Sequence, residues 1–228
     1  MKVVISGYGK MGKMVEAVLS KRGIECAGKS EDIRSFDPEI AKECVCIDFT
    51  TPAAIRENYK FIAENFKAAV IGTTGWDDIR TLVTDYFKTY DTTLVYASNF
   101  SIGVNLLFAA VKLLSEKMAA TGGYSPYIIE KHHCHKLDAP SGTAKSLADI
   151  VYEGMGIRPD IQSVRCGEIP GIHTVGYEGN DDRITITHEA FSRMGFAQGA
   201  VEAALKADRM KGVYDFKDII FDDCNAKD

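Results

Sequence analysis

The sequence predicts an α/β protein of two domains: an N-terminal parallel-sheet domain completed by the C-terminal segment, with an inserted α+β domain between them. Three observations carry this. Short, nearly continuous apolar strands alternate with helices over roughly the first hundred residues, the pattern of a parallel sheet covered on both faces. From Ile161 onward, alternating strands follow one another without helices, which reads as antiparallel sheet. Helical periodicity then returns from Ala197 to about Lys206. A chain of 228 residues suits two modest domains. The expected boundaries are 1–99 with 195–228 for the first domain and 100–194 for the second.

The elements follow in order. Val3-Val4-Ile5-Ser6 is a short apolar strand, and Met11, Met14, Val15, Val18 and Leu19 mark one face of the helix after it. Gly23 stops that helix, and Ile24–Gly28 is the next strand. Residues 29–41 are short and polar. Cys44–Phe49 is a strand, and Pro52 opens a helix to about Glu64. Ala68–Ile71 is a strand leaving through Gly72-Thr73-Thr74-Gly75, and a helix from about Asp77 to Lys88 leads to the strand Thr93–Ala97. A long apolar helix from Val104 to about Met118 precedes the strand Tyr127–Glu130. A capped helix runs from Pro140 to about Glu153, followed by strands near 161–165, 173–177 and 182–189. Asp218–Phe221 is short and apolar. Trp76 has no role that sequence assigns.

Bulk properties exclude several functions. The chain is 46% hydrophobic and 26% charged with net charge −5, and no basic tract stands out, which argues against nucleic-acid binding. No window approaches the ~18 consecutive apolar residues of a membrane span. The N-terminus enters a strand directly, with no secretory signal pattern, so a cytoplasmic protein is expected. Of the six cysteines, Cys44 and Cys46 have the period of one strand face and the rest are scattered without a C-x-x-C pair, so reduced structural thiols are expected. His132, His133, Cys134 and His135 lack a second ligand pair at a usable spacing, so no metal site is expected.

Gly7-Tyr8-Gly9-Lys10-Met11-Gly12 matches G-x-G-x-x-G between a strand and a helix, the Rossmann-type context for dinucleotide binding. The first glycine makes the turn, the second admits pyrophosphate and the third allows close helix packing, while the helix N-terminus faces the phosphates. Lys10 adds positive charge. Glu31 or Asp32 suits the ribose of NADH; Lys29, Ser30 or Arg34 suits the 2′-phosphate of NADPH, so either or both cofactors are expected. Gly72-Thr73-Thr74-Gly75 and Ala97-Ser98-Asn99-Phe100 leave strands at the carboxyl edge, where such sheets bind ligands.

The densest chemistry lies in Glu130-Lys131-His132-His133-Cys134-His135-Lys136-Leu137-Asp138-Ala139-Pro140-Ser141-Gly142-Thr143-Ala144, with three of the five histidines. Asp138 or Ser141 can cap the following helix, and Pro140 suits its first turn. The amides of Ser141, Gly142 and Thr143 would then face an anion. Histidines beside them can donate protons near neutral pH. The combination fits a site that holds a small anionic substrate and protonates it.

This run resembles the signature of the 4-hydroxy-tetrahydrodipicolinate (dihydrodipicolinate) reductases of diaminopimelate and lysine biosynthesis. Ile47–Thr50, Gly72–Gly75, Asn99–Asn105, Arg165 through His173, Ile186–His188 and Ser192-Arg193 also match family segments in order, so the resemblance covers nearly the whole chain. It implies His132 as proton donor and Lys136 as second catalytic residue, with His133, Lys136, Gly142 and Thr143 holding the substrate carboxylates. It places Gly7, Lys10, Met11, Gly12, Glu31, Gly72, Thr74, Ala97, Asn99 and Phe100 at cofactor contacts, beside Gly9, Thr73 and Ser98 of the same loops. The inserted domain is then a substrate-binding and oligomerisation domain, and a homotetramer is expected. Lys10 stands where many members carry Arg. Two alternatives remain open at this level. Another NAD(P)-dependent small-acid reductase would show a nucleophilic thiol, for which Cys134 is the only candidate, or a different lysine pair. A non-catalytic nucleotide sensor would bind cofactor without turnover.

Overall fold

The computed structural model describes residues 1–221. They form two compact units, Met1–Ser101 with the described residues from Met194 onward, and Ile102–Arg193. The expected end of the first domain runs to residue 228; residues 222–228, with Cys224, lie outside the described residues.

The first unit is built on a parallel sheet. Strands β1 (Lys2–Ser6), β2 (Glu25–Ser30), β3 (Cys44–Asp48), β4 (Ala68–Ile71) and β5 (Thr93–Tyr96) are joined by a late strand, β10 (Val213–Asp215). Their order is β10-β5-β4-β3-β1-β2, so the chain reverses direction between β1 and β3, the switch point where such sheets bind ligands. Alternate side chains serve opposite faces. Val3, Ile5, Val45 and Ile47 pack under α1 (Lys10–Lys21) and α7 (Met194–Ala207). Val4, Cys44 and Cys46 pack under α3 (Pro52–Asn65) and α4 (Arg80–Thr89). The two cysteines are thus small core residues on one face, both fully buried. Helix α7 approaches closely because it is rich in small residues: a Cβ on Gly199 would lie 1.7 Å from the Phe100 carbonyl oxygen.

Several boundaries differ from the sequence expectation. β2 runs through Ser30, and the polar stretch after it is anchored by the fully buried Ile33 in a 3-10 turn (Ile33–Ser35), followed by α2 (Pro38–Ala41). The helix expected from Asp77 is a 3-10 turn (Asp77–Ile79) before α4. β10 went unrecognised because three residues are too few for a period. The apolar end expected at Asp218–Phe221 is α8 (Phe216–Ile219).

The second unit stacks α5 (Ile102–Thr121) and α6 (Gly142–Met155) on a sheet of β6 (Ser125–His132), β7 (Asp160–Arg165), β8 (Ile172–Glu178) and β9 (Arg183–Glu189), in the order β7-β6-β8-β9. The sheet is mixed, not antiparallel throughout: β7 pairs parallel with β6. The reason is α6, which crosses over between them and returns the chain in the same direction. The core includes Leu107, Val111, Ile128, Leu147, Val151, Val175 and Tyr177. Buried Tyr177 has its hydroxyl satisfied by the Val111 carbonyl (3.2 Å) and the Ser115 hydroxyl (2.8 Å).

Candidate active site

The glycine motif forms the loop between β1 and α1. Gly7 has φ +83°, and a Cβ there would lie 2.5 Å from the Phe49 carbonyl oxygen. A Cβ on Gly12 would meet the Gly7 carbonyl oxygen at 2.3 Å, so neither position accepts a side chain. Around Gly9 the space is open. Gly9 is the N-cap of α1, with no side-chain cap and no acid in the first turn, so the helix end is suited to an anion. Glu31 Oε1 accepts from the Tyr8 amide (3.2 Å), which brings Glu31 to this loop. Lys10 is exposed and Met11 half-buried beside it. These features fit a bound dinucleotide. The cations offered for a 2′-phosphate are already paired: Lys29 with Glu16 (2.6 Å), and Arg34 with Asp32 (2.9 Å) and Glu57 (2.8 Å).

At the same edge, the fully buried Asp48 joins three strand exits. Its carboxylate accepts from the hydroxyls of Ser6 (2.7 Å), Thr73 (2.6 Å) and Thr50 (2.9 Å), and from the Thr50 amide (3.3 Å). Burial pushes its pKa up, and these bonds only partly oppose that. Sequence reasoning missed Asp48; an acid ending an otherwise apolar strand was the available signal. Thr73 is 5% exposed and its hydroxyl is bound to Asp48, so it shapes the loop rather than reaching outward, while Thr74 and Ser98 are exposed. A Cβ on Gly72 would lie 2.2 Å from the Phe49 ring, so a side chain here would have to displace that ring. Ala97 is buried, and the Phe100 ring sits in the core 5.0 Å from Phe216, leaving Phe100 only its backbone for a ligand. Asn99 Oδ1 accepts from the Ser101 amide (2.8 Å). Trp76 gains its role here: it is buried, and its indole N–H donates to the Thr73 carbonyl (2.7 Å).

The second cluster is made by β6. Its burial alternates, so Glu130 and His132 point to the same inner face. Glu130 Oε2 contacts His132 Nδ1. Arg165 stands opposite His132 in register and grips Glu130 with both terminal nitrogens (2.7 and 3.1 Å), while also donating to the Asp138 carbonyl (2.6 Å). His173, opposite Glu130 on β8, lies edge-on to His132 with ring centroids 5.1 Å apart. Its Nε2 meets the Ser141 hydroxyl at 3.1 Å. Gly171 matters by lacking a side chain: a Cβ would sit 3.1 Å from His132 Nε2. His132 is therefore anchored through Nδ1 and faces glycine backbone with Nε2.

Charge follows from this packing. Burial alone would raise the Glu130 pKa, but Arg165, helped by Ser163 and His132, reverses that and holds it at about 2. Burial lowers the pKa of His132 against the pull of Glu130. Burial and then neighbouring His132 bring His173 down to about 4.

Beyond β6, Lys136 Nζ pairs with Asp138 (2.6 Å). The Nδ1 atoms of His133 and His173 are buried without a protein partner, positions that a ligand can satisfy. Ser141 is the N-cap of α6, accepting from the Ala144 amide (3.3 Å); Asp138 does not cap, and Pro140 precedes the cap rather than opening the helix. The Ser141 amide donates to Glu130 (3.4 Å), so it is not offered to an anion as the sequence suggested. Gly142 and Thr143 open the helix, with space around Gly142. Arg165 and His173 were missed as site residues because they reach it through strand pairing.

Models of the N-terminal and C-terminal parts of dihydrodipicolinate reductase match residues 1–100 and 103–220. The chain belongs to the dihydrodipicolinate reductase family. It is 37% identical to the 4-hydroxy-tetrahydrodipicolinate reductase of Christiangramia forsetii, over 97% of this chain and 98% of that one. It is 33% identical to the reductase of Ralstonia pickettii, over 96% and 99%. A dipicolinate-bound dihydrodipicolinate reductase from Paenisporosarcina sp. TG-14 superposes with TM-score 0.78 at 25% identity, covering 96% of this chain and 99% of that one. An engineered D-amino acid dehydrogenase (TM-score 0.60, 12% identity) shares the fold. This family member is an NAD(P)H-dependent oxidoreductase that reduces 4-hydroxy-tetrahydrodipicolinate in lysine and diaminopimelate biosynthesis.

Proposed function

We propose that His132 donates the proton in this reduction and that Lys136 stabilises the charge developing beside it. When bound, the reduced nicotinamide would supply a hydride to ring carbon 4 of the conjugated dihydro ring that remains once the substrate's 4-hydroxyl has left as water. Negative charge then spreads towards carbon 3 and the ring nitrogen, and His132 protonates carbon 3 through Nε2. The observation that carries this reading is the orientation of His132. Glu130, held ionised by Arg165, keeps the Nδ1 proton on its own side and leaves Nε2 as the reactive nitrogen. Lys136, exchanging Asp138 for substrate, places a cation where charge appears, which stabilises the transition state more than the ground state.

His133, Gly142 and Thr143 hold the carboxylates in this proposal, and Ser141 positions the helix that presents the latter two. The dipicolinate in the Paenisporosarcina relative, a planar dicarboxylate, supports a site for two carboxylates. Their negative charge favours the imidazolium form of His132, whose pKa burial lowers. Gly7, Gly9, Lys10, Met11, Gly12, Glu31, Gly72, Thr74, Ser98, Asn99 and the backbone of Ala97 and Phe100 hold the cofactor, and Thr73 braces their loops.

His132→Gln should lower turnover by ~10² to 10⁴-fold with little change in cofactor affinity, measured by nicotinamide absorbance with enzymatically generated substrate. Near-normal turnover would overturn the assignment. Both NADH and NADPH serve in this reading, since acids and bases are interleaved after β2; a preference beyond ~100-fold, worth roughly 2.7 kcal/mol, excludes it. The protein acts in the cytoplasm, consistent with five free cysteines among the described residues and no described helix long and apolar enough to cross a membrane. It assembles as a homotetramer through the second unit's sheet, where Val164 and Ile184 stand exposed. A sedimentation mass other than four chains would refute that assembly.

A further inference from the structure

Outside the catalytic cluster, one group of side chains has the composition of a metal site. Cys134 and His135 leave the end of β6, and Glu168 comes from the turn between β7 and β8, so the set joins residues more than thirty positions apart. Their ligating atoms all lie within 4.8 Å of one another. Cys134 Sγ is 3.5 Å from His135 Nε2, and His135 Nε2 is 3.4 Å from Glu168 Oε1. Zn–S bonds of about 2.3 Å and Zn–N and Zn–O bonds of about 2.0–2.1 Å, at tetrahedral angles, place S and N roughly 3.6 Å apart and N and O roughly 3.4 Å apart. The two separations from His135 correspond to those of ligands around one ion, and the Cys134–Glu168 pair lies within 4.8 Å.

The backbone holds the ligands in this arrangement. The His133 amide donates to the Ile169 carbonyl (2.8 Å), the Cys134 amide to the Gly167 carbonyl (3.1 Å) and the Cys166 amide to the His132 carbonyl (3.0 Å). These bonds tie the two loops together on both sides of the cluster. Gly167, at φ +55°, turns the chain just before Glu168. A surface ion pair of His135 with Glu168 would by itself contribute little. Cys134 Sγ and His135 Nε2 are also within sulfur hydrogen-bond distance (3.5 Å), so thiol, imidazole and carboxylate converge on one point.

We propose that Cys134, His135 and Glu168 form a binding site for a thiophilic divalent cation, with Zn²⁺ preferred over Mg²⁺ or Ca²⁺. Thiolate and imidazole select for Zn²⁺, and the hard oxygen-seeking cations gain nothing from sulfur. All three side chains are exposed, so the fourth position is open to water. Binding converts the Cys134 thiol to a thiolate and releases its proton to solvent, with no change in oxidation state. The buried trio Glu130, His132 and His173 does not compete, because Arg165 already occupies both Glu130 oxygens.

Cobalt(II) titration of the full-length reduced protein tests this. One equivalent per chain should bind, with a sulfur-to-cobalt charge-transfer band in the near ultraviolet and tetrahedral bands in the visible, and Zn²⁺ should displace it. Cys134→Ser should abolish the charge-transfer band. His135→Gln and Glu168→Gln should each weaken binding by ~10-fold or more, the scale seen when support for a metal is removed. Cys166→Ser, the other exposed thiol of these loops, should leave the spectrum unchanged. Because the ligands are exposed, the variants should fold, and circular dichroism checks this. Absence of the band, its survival in Cys134→Ser, or its loss in Cys166→Ser would overturn the proposal.

Discussion

Asp48, at the end of β3, and Glu130, within β6, are both fully buried carboxylates, one in each unit, yet their environments push them in opposite directions. Asp48 meets only neutral donors, three hydroxyls and an amide, and burial raises its pKa. Glu130 meets the same burial, but a two-pronged guanidinium brings it down to about 2. Neutral hydrogen bonds satisfy lone pairs without cancelling charge, whereas Arg165 does both. The difference suits two jobs. Asp48 ties together the loops of the nucleotide edge, for which geometry suffices. Glu130 must remain an anion through the working pH range so that it can orient the ring of His132.

The largest effect that can break this comparison comes from Arg165→Met. Losing one partner of a buried pair leaves Glu130 uncompensated and should cost about 3–5 kcal/mol in denaturant unfolding. Adding Glu130→Gln should recover part of that loss; if the double variant is no more stable than the single one, the charge of Glu130 is not the cause.

Next in size is the acid limb of stability. His173, lowered to about 4, stays neutral in the folded protein while the unfolded chain takes up a proton below about 6.5. The unfolded state therefore binds more protons in that window, and stability falls as pH drops from about 6.5 to about 4, by up to ~3 kcal/mol. His173→Gln should flatten this limb. An unchanged slope would mean that His173 is charged in the folded state.

The smallest is Asp48→Asn, which keeps size but loses acceptors for the surrounding hydroxyls; about 1–2 kcal/mol is expected, with weaker cofactor binding. A cost above that of Arg165→Met would invert the ranking of the two sites.

Much of the molecule was legible in order along the chain. The strand-helix alternation exposed the parallel sheet because each element carries its own period. The Gly7–Gly12 turn was readable because the sterics of a glycine loop are local, and the run from Glu130 to Ala144 carried the family. Even the pairing of Glu130 with His132 is local, since residues two apart in a strand share a face. The ring of partners around them was not. Arg165 and His173 meet the site only through the registers of β7 and β8, and the amide of Ser141 turned out to be committed to Glu130. The parallel setting of β7 depended on where α6 sends the chain, which periodicity does not encode.

By itself, the order of residues determined the fold class, the nucleotide turn and the histidine-lysine segment, because each rests on contacts within a few positions. The tertiary structure alone decided that Arg165 keeps Glu130 charged, that His173 is buried beside His132 with its pKa lowered, and that Glu168 comes to stand by Cys134 and His135. Those outcomes depend on groups brought together from distant strands, where burial and charge act through space rather than along the chain.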